Sequence, residues 1–190
     1  SVFGYVEWVL GPPRSGERRF VVCERHESTG AILARNAYNA EFRDRVAFWH
    51  ATEAPRSFTC DRADFIGRNR TLAAPAGLFR DSLDGRVGSG LDACAALQIR
   101  IDVPPGETRR VAFVLGQGNA ASHAATLATR YSQLTEVDEA IARSGRFWDD
   151  SLSAIQVHTP DDSFDLLVNR WLLYQTLSCR IWARSGPYQP

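Results

Sequence analysis

The stretch ALQIRIDVPPGETRRVAFVLGQG, residues 96–118, decides the fold class of this chain. Its first part alternates strictly, with Leu97 and Ile99 on one face and Gln98 on the other, which is the period of a β-strand with one solvent-exposed face. PPGE at 104–107 has the composition of a turn, and the alternation resumes after it. We therefore predict two antiparallel strands joined as a hairpin.

Further short runs with a strand pattern precede this stretch. Gly, Pro and Asn separate them, and no helical pattern comes between them. Many short strands at close spacing predict an antiparallel β-sandwich over residues 1–118. The runs are YVEWVLG (5–11), RRFVVCE (18–24), AILAR (31–35) and RVAFWHA (45–51).

After Gly118 the apolar period becomes helical. The Ala-rich run SHAATLATRY, residues 122–131, predicts a short helix, and Thr135 is predicted to cap a second one. Thr159 as N-cap, with Pro160 at the first helical position and acidic residues in the first turn, predicts the start of a third helix. The sequence thus places helices after the sandwich.

The third predicted helix is apolar almost all round. Such a helix is normally buried on every side, so we expect it to belong inside a larger set of helices. Its main apolar stripe and the apolar residues beyond that stripe are Phe164, Leu167, Val168, Trp171, Leu172, Leu173, Tyr174, Leu177, Cys179, Ile181 and Trp182.

Composition excludes several classes of function. The formal net charge is zero, and all 22 cationic residues are Arg, so no basic excess indicates binding to nucleic acid or to an anionic membrane. Four cysteines lie far apart without CxxC spacing, which argues against a zinc site, and we expect them to be buried and reduced. No apolar run reaches the roughly 18 residues of a membrane span. The absence of methionine, even at position 1, indicates an internal piece of a longer protein.

Three sequence patterns resemble phosphate-binding, catalytic or metal-binding sites, but their residues do not fit those functions. GRVGSG at 85–90 lacks the Lys and Ser/Thr of a phosphate-binding loop, so we predict a flexible loop between strands. The acidic residues Asp161, Asp162 and Asp165 are predicted to cap a helix rather than to catalyse. The four histidines have no HxxxH or HxH pairing and are predicted not to bind metal; they are His26, His50, His123 and His158.

Two loop-like segments, residues 34–49 and 61–75, mix Asn, Arg, Asp and aromatic residues. Planar polar groups can bind sugar hydroxyls while aromatic faces stack on the sugar ring, although the same residues also serve turns and domain contacts. After the last helix, Gly186 and Pro187 end the helical pattern. Tyr188 and Gln189 are then predicted at the rim of whatever the helices enclose, or in a plain connection.

Several of these segments closely resemble those of a known family. They are similar to the phosphorylase-like region of bacterial cyclic β-1,2-glucan synthetases, which groups with the cellobiose and chitobiose phosphorylases in glycoside hydrolase family ninety-four. The likeness covers nearly the whole chain in order, and the last segment is the most specific. The segments are VEWVLG, ARNAYNAEF, RDRVAF, DRADFIGRN, RTLAAP, GRVGSGLDACAALQ, VAFVLGQG and NRWLLYQTLSCRIWARSGPYQ.

The resemblance implies a fold that is mainly β with C-terminal helices. Residues 1–118 would form most of an antiparallel β-supersandwich, 119–158 a helical linker, and 159–190 the start of an (α/α)6 catalytic barrel, truncated after its first helix.

The resemblance also implies an inverting phosphorolysis of β-glucan to α-glucose 1-phosphate, with inorganic phosphate as co-substrate and no cofactor. None of the family's catalytic residues falls within residues 1–190, so this piece alone is expected to be inactive. Arg184, Tyr188 and Gln189 match the family's pattern at the barrel entrance and are the expected substrate-proximal residues, followed by Arg68 and Asn69. Gly186 and Pro187 depart from the family's usual residues.

The resemblance implies as partners a β-glucan and the rest of the parent chain. Independently of it, Trp171, Leu172 and Trp182 would leave an exposed apolar patch on the last helix, which predicts self-association, as in a homodimer. The resemblance also implies a parent anchored in the bacterial inner membrane with this region on the cytoplasmic side. Two other functions stay open on the sequence: a stand-alone carbohydrate-binding module, and a purely structural platform that docks the barrel and supports dimerisation.

Overall fold

The computed structural model of the chain describes residues 1–11, 16–38 and 40–182, without the side chains of Glu17 and Arg180. The chain forms two compact units, Ser1–Val137 and Asp138–Pro190. The first unit is a β-sandwich with short helices packed on the outer faces of its sheets, and the second is helical. The prediction of an antiparallel sandwich followed by helices is confirmed.

Seven strands form two antiparallel sheets in the first unit. The first sheet has three strands in the order β1-β6-β5, and the second has four in the order β2-β3-β4-β7. In chain order the strands are β1 (Val2–Glu7), β2 (Val22–Arg25), β3 (Ile32–Arg35), β4 (Val46–Ala51), β5 (Ser57–Asp61), β6 (Ala93–Ile99) and β7 (Phe113–Gly118).

The main core lies between the two sheets. Its buried side chains are Trp8, Val21, Cys23, Ile32, Ala34, Trp49, Ala51, Cys60, Ala93, Ala95, Leu97 and Ile99. Trp49 of β4 stacks on Phe113 of β7 with ring centroids 5.5 Å apart, and both rings lie against Gly4 of β1, where a β-carbon would overlap them. Glycine at this position lets the two sheets approach each other.

The predicted hairpin at residues 96–118 is wrong, because its two halves belong to different sheets. β6 pairs with β1 on one edge and β5 on the other, so it has no free edge for β7, which pairs with β4 instead. The turn at 104–107 forms, with the Glu107 N–H donating to the Pro104 carbonyl. It therefore lies in a connection between sheets rather than in a hairpin.

The predicted solvent-exposed face of β6 is also wrong. Gln98 is only 3% exposed, and its side-chain oxygen accepts a hydrogen bond from the Ser57 hydroxyl at 2.5 Å. Leu97 and Ile99 face the inter-sheet core as predicted, while Ala96 on the opposite face packs against a separate cluster that includes Phe65. The polar side chain of Gln98 is therefore buried with its hydrogen bond formed, and it does not indicate a solvent-exposed strand face.

Other strand boundaries also shift. The run at 18–24 begins with a 3-10 turn, Glu17–Phe20, and the strand starts only at Val22. The strand Ser57–Asp61 has no clear alternation and was missed, since Thr59, Cys60 and Asp61 are all buried. A second 3-10 turn, Ala76–Phe79, and the short helix α1 (Arg62–Phe65) pack on the outer side of the first sheet.

The remaining helices follow the predicted order with corrected starts. α2 begins one residue before its predicted start, and α3 begins before Thr135, which therefore lies in its first turn instead of capping it. No described helix combines the length and the apolar character needed to cross a membrane. The helices are α2 (Ala121–Arg130), α3 (Leu134–Leu152), α4 (Asp162–Leu166) and α5 (Leu173–Gln175); π-helical segments, Leu167–Leu172 and Thr176–Trp182, follow α4 and α5.

Asp161, rather than Thr159, caps the helical segment 162–182. The Asp161 carboxylate accepts the N–H groups of Ser163 and Phe164 at 2.9 and 3.2 Å. Thr159 instead donates its N–H and hydroxyl to Asp165. The acidic residues at this helix start are thus structural, as predicted, although the capping residue differs.

Helix α2 packs closely on the outer face of the second sheet. Ala124 and Ala128 lie against Val46 and Phe48 of β4. At the end of β7, a β-carbon on Gly118 would overlap the backbone nitrogen of Ala124. Glycine is therefore required there for close approach rather than for its backbone angles.

Replacing Gly118 with Ala should lower the free energy of unfolding by about 1–3 kcal/mol, because α2 must move away from β7. Urea denaturation followed by circular dichroism measures the change. Gly145→Ala in α3 is the matched control, since its β-carbon meets no atom within 4 Å, and should be neutral or stabilising by up to about 1 kcal/mol. Equal stability of the Gly118 variant and the unmodified chain would contradict this packing.

His50 is a buried polar residue in β4. It is 4% exposed and shares a strand face with Phe48, and neither ring nitrogen has a hydrogen-bond partner among the residues that the structure describes. Burial lowers the pKa of His50 below its usual value, because the charged imidazolium would lose its hydration. The folded state therefore favours neutral His50.

Acidification should consequently weaken the sandwich through His50. As the pH falls below about 6.5 the unfolded chain takes up a proton that the folded chain refuses, so the free energy of unfolding decreases by up to about 1.4 kcal/mol per pH unit. His50→Leu should remove this part of the pH dependence. Urea titrations of both proteins between pH 7 and pH 5 measure it, and parallel pH profiles would contradict the assignment.

Candidate functional site

Arg68 and Asn69 lie in the turn that follows α1. Both are exposed, and neither side chain forms a hydrogen bond or ion pair with the described residues. The next residue, Arg70, places its guanidinium 4.9 Å from the ring centre of Phe79. In the described part of the chain, no hydrogen bond joins this turn to residues 36–45. Hydrogen bonds therefore do not join the two segments whose residue types suit sugar binding into one site.

Arg184, Tyr188 and Gln189 lie outside the described residues, as do Gly186 and Pro187. Their predicted position at a barrel entrance thus stays a prediction. The last described residue is Trp182, at the end of the helical segment 162–182.

Asn36 and the segment 41–45 border a pocket of about 530 Å3. The floor is apolar and includes Leu10 from the end of the β1 segment and Ala47 of β4. Phe42 forms one wall and is 52% exposed. We call this the Phe42 pocket, and its remaining named lining residues are Gly11, Asn36, Glu41, Arg45 and Gln117.

The polar side chains of the Phe42 pocket stand mainly at its rim. Glu41 and Gln117 are exposed, and no described residue forms a hydrogen bond or ion pair with either side chain. Arg45 donates from one guanidinium nitrogen to the Asn119 side-chain oxygen. The rim thus offers a carboxylate, a guanidinium and an amide, with a net formal charge of zero.

Buried hydrogen bonds hold the loop in place. Asn36, 4% exposed, donates to the Leu10 carbonyl at 2.9 Å and accepts the Tyr38 N–H at 3.1 Å. The Arg45 N–H donates to the Phe42 carbonyl at 2.9 Å. Tyr38 stacks on Phe20 with ring centres 4.3 Å apart. The pocket wall is therefore preorganised by contacts that span distant parts of the sequence.

Leu10 adds backbone strain at the floor of this pocket. Its φ of 41° lies in the left-handed region, which costs a non-glycine residue free energy. Together with the Asn36 hydrogen bond to its carbonyl, this conformation turns the chain at the pocket floor. Strain of this kind is concentrated at ligand sites more often than elsewhere.

The second unit exposes a large apolar surface along the helical segment 162–182. We call it the helical apolar surface, and none of the described residues of this segment is buried. Aromatic contacts attach the segment to the end of α3: Trp148 lies 4.8 Å from Tyr174 and 5.3 Å from Trp182 between ring centres. The large residues that stay exposed are Phe164, Leu166, Leu167, Trp171, Leu172, Tyr174, Ile181 and Trp182.

Asn169 fixes the chain that enters this helix. Its side chain accepts the Val157 N–H at 2.7 Å and donates to the Val157 carbonyl at 2.8 Å, as a paired strand would. Arg170 beside it pairs with Asp149 of α3 at 2.5 Å. The NR dipeptide of the NRWLLYQ segment therefore has a structural use in positioning the helix.

The glycine-rich segment 85–90 joins the two sheets and is not a free flexible loop. Cys23 of β2 and Gly88 exchange both backbone hydrogen bonds, at 3.0 and 2.7 Å. The Cys60 N–H of β5 donates to the Arg86 carbonyl at 2.9 Å. Cys23, Cys60 and Cys94 are buried free thiols, as predicted, whereas Cys179 is exposed.

One cluster of charged side chains lies at the end of β1. Arg18 pairs with Asp92 at 2.8 Å, Arg62 pairs with Glu7 at 2.9 Å, and the Tyr5 hydroxyl donates to Glu7 at 2.7 Å. Burial alone would raise the pKa of Glu7, but the hydrogen bonds from Tyr5 and Arg62 and the nearby Arg charges lower it below its usual value. A carboxylate held ionised in this way does not suit a general acid.

The described residues bring no three His, Cys, Asp or Glu side chains together as a metal site. The Phe42 pocket was only partly visible in the sequence, since Leu10 and Gln117 were not singled out. A signal for Gln117 did exist: it lies on the same strand face as Phe113 and Leu115 and interrupts their apolar alternation with a polar residue.

Comparison with known proteins divides the chain into two matched segments. A sequence model described as "Glycosyl hydrolase 94, supersandwich domain" matches residues 1–134. A second, described as "Glycosyl hydrolase 94 superfamily, catalytic domain", matches residues 147–189. The first match covers more than two thirds of the chain.

The chain is also similar to several curated proteins. It is 35% identical over 189 residues to "Cyclic beta-(1,2)-glucan synthase NdvB" of Rhizobium meliloti (strain 1021), covering 99% of this chain and 7% of that protein. It is 27% identical over 194 residues to "N,N'-diacetylchitobiose phosphorylase" of Vibrio furnissii, covering 99% of this chain and 24% of that protein. A "3-O-beta-D-glucopyranosyl-beta-D-glucuronide phosphorylase" of Paenibacillus borealis is 26% identical over 139 residues, 70% of this chain and 17% of its own length.

The chain therefore spans less than a quarter of the length of these relatives. The sandwich of residues 1–134 and the aromatic helix within residues 147–189 each correspond to a matched domain of one family. By the extent of the first match and by its identity to the Rhizobium protein, this chain belongs to glycosyl hydrolase family 94.

Proposed function

We propose that this chain is the non-catalytic sandwich and linker of an enzyme of β-1,2-glucan metabolism, together with the first helix of its catalytic barrel. The role of this region is to dock that barrel. The observation that carries the proposal is the helical apolar surface, which lies within the segment similar to the catalytic domain. An aromatic surface of this size is stable in water only when another apolar surface covers it.

The choice of β-1,2-glucan rests on relative similarity. Identity is 35% to the protein named as a cyclic β-(1,2)-glucan synthase and 27% to the chitobiose phosphorylases. In the parent enzyme an Asp outside residues 1–190 protonates the glycosidic oxygen while inorganic phosphate attacks the anomeric carbon. The glycosidic bond breaks, and α-glucose 1-phosphate leaves with inverted configuration.

The residues of this chain support a positioning role in that reaction. Asn169, with its two hydrogen bonds to Val157, and Arg170, with its ion pair to Asp149, set the direction of the first barrel helix. Arg184, Tyr188 and Gln189, which lie outside the described residues, are the substrate-proximal residues of this proposal. We place the parent at the inner face of a bacterial inner membrane, where the free thiols of Cys23, Cys60 and Cys94 stay reduced.

The chain by itself should not catalyse phosphorolysis. Incubated with β-1,2-gluco-oligosaccharides and inorganic phosphate, it should release no α-glucose 1-phosphate above a protein-free blank, as measured by a coupled phosphoglucomutase assay. A chitobiose phosphorylase with its own substrate validates the assay. Release of α-glucose 1-phosphate by the purified chain would contradict the non-catalytic role.

The helical apolar surface should make the isolated chain associate with itself. Light scattering should give a mass above the 21.1 kDa of one chain, and Leu166→Asp with Trp171→Asp should shift it toward the monomer. The matched control is Leu72→Asp with Phe79→Asp, two equally exposed apolar residues of the sandwich. A monomeric unmodified chain, or equal effects of the two pairs, would contradict a docking role for this surface.

A further inference from the structure

The Phe42 pocket is formed by residues of the first unit, and none of its named lining residues belongs to the helical segment 162–182. We propose that it binds a neutral saccharide, a short β-linked gluco-oligosaccharide, as a site separate from catalysis. Only the choice of β-linked glucose as the sugar rests on the function proposed above. The existence of a saccharide site rests on the pocket itself.

The apolar part of the pocket suits the C–H face of a sugar ring. Phe42 is half exposed at the wall, and Leu10 and Ala47 form the floor beneath it. Aromatic side chains gain free energy by covering flat apolar surface, and a pyranose presents such a surface on its axial C–H side. The volume of about 530 Å3 lies in the range of small-ligand sites, roughly 300–1,000 Å3.

The rim supplies the hydrogen bonds that sugar hydroxyls need. A hydroxyl both donates and accepts, and here Glu41 accepts, Arg45 donates, and the Gln117 amide does both. Neither Glu41 nor Gln117 is engaged by another described side chain. A ligand can therefore pair with them without breaking existing bonds.

The charge of the rim favours a neutral ligand over an anion. One carboxylate and one guanidinium face the same opening, so a phosphate would gain from Arg45 but be repelled by Glu41. Hydroxyl groups can use both partners at once. This balance distinguishes the pocket from a phosphate or sugar phosphate site.

The pocket is built before the ligand arrives. Asn36 ties the loop to Leu10 from a buried position, Arg45 is held by Asn119, and Tyr38 stacks on Phe20. A preorganised loop loses less conformational entropy on binding than a mobile one. The Phe42 backbone carbonyl also accepts the Arg45 N–H, so the segment that carries the Phe42 ring is held on both sides by described contacts.

Isothermal titration calorimetry of the chain tests the site with β-1,2-gluco-, cello- and chito-oligosaccharides and with α-glucose 1-phosphate. Binding of a neutral oligosaccharide is expected, with α-glucose 1-phosphate weaker. Phe42→Ala should weaken binding about tenfold or more, while Phe42→Tyr should retain it. Phe79→Ala, at an exposed aromatic residue elsewhere on the sandwich, should leave it unchanged. Thermal unfolding of each variant confirms that the exposed substitutions leave the fold intact.

Absence of binding by every oligosaccharide, or equal binding by the unmodified chain and Phe42→Ala, would overturn the site. Tighter binding of α-glucose 1-phosphate would also overturn it as a neutral saccharide site. Binding of chito-oligosaccharides alone, lost in Phe42→Ala, would support the pocket and contradict the β-glucan assignment. Release of α-glucose 1-phosphate in the phosphorolysis assay would contradict the non-catalytic role without affecting these binding results.

Discussion

The burial of β6 on both faces is the constraint on which the sandwich depends. All seven residues of Ala93–Ile99 are buried, and the first four are Ala or Cys. Small side chains let one face pack on the second sheet and the other face on the cluster around Phe65. Because β1 and β5 also occupy both edges of β6, the strand is enclosed on its two edges and its two faces, and it sets the register of the whole first sheet.

This enclosure explains where prediction from sequence succeeded and failed. Alternation correctly placed Leu97 and Ile99 toward the main core, and it correctly indicated an antiparallel β protein. It wrongly made Gln98 a surface residue, because periodicity cannot distinguish an exposed polar group from a buried one paired with Ser57. The hairpin prediction failed for a related reason. Which strands pair depends on which strand edges remain free in the folded sheets, and a local sequence pattern does not contain this information.

The helical region was easier to predict in outline and harder in detail. Thr159 and Asp161 both have capping chemistry, and only the structure shows that Thr159 is bound by Asp165 while Asp161 takes the helix N–H groups. The Phe42 pocket was even harder to predict from the sequence. Leu10, Phe42 and Gln117 come together only after the sheets form, so no local pattern could have joined them.

The two exposed apolar regions differ in a way that separates their partners. The helical apolar surface is nearly continuous, with aromatic and aliphatic side chains over successive turns, so it can gain free energy only by being covered with another apolar surface. The Phe42 pocket combines one aromatic ring with the polar side chains of Glu41 and Gln117, which form no hydrogen bond or ion pair with the described residues. Burying those groups under an apolar partner would cost free energy, whereas hydroxyl groups would satisfy them. One chain therefore presents one surface suited to protein and another suited to sugar.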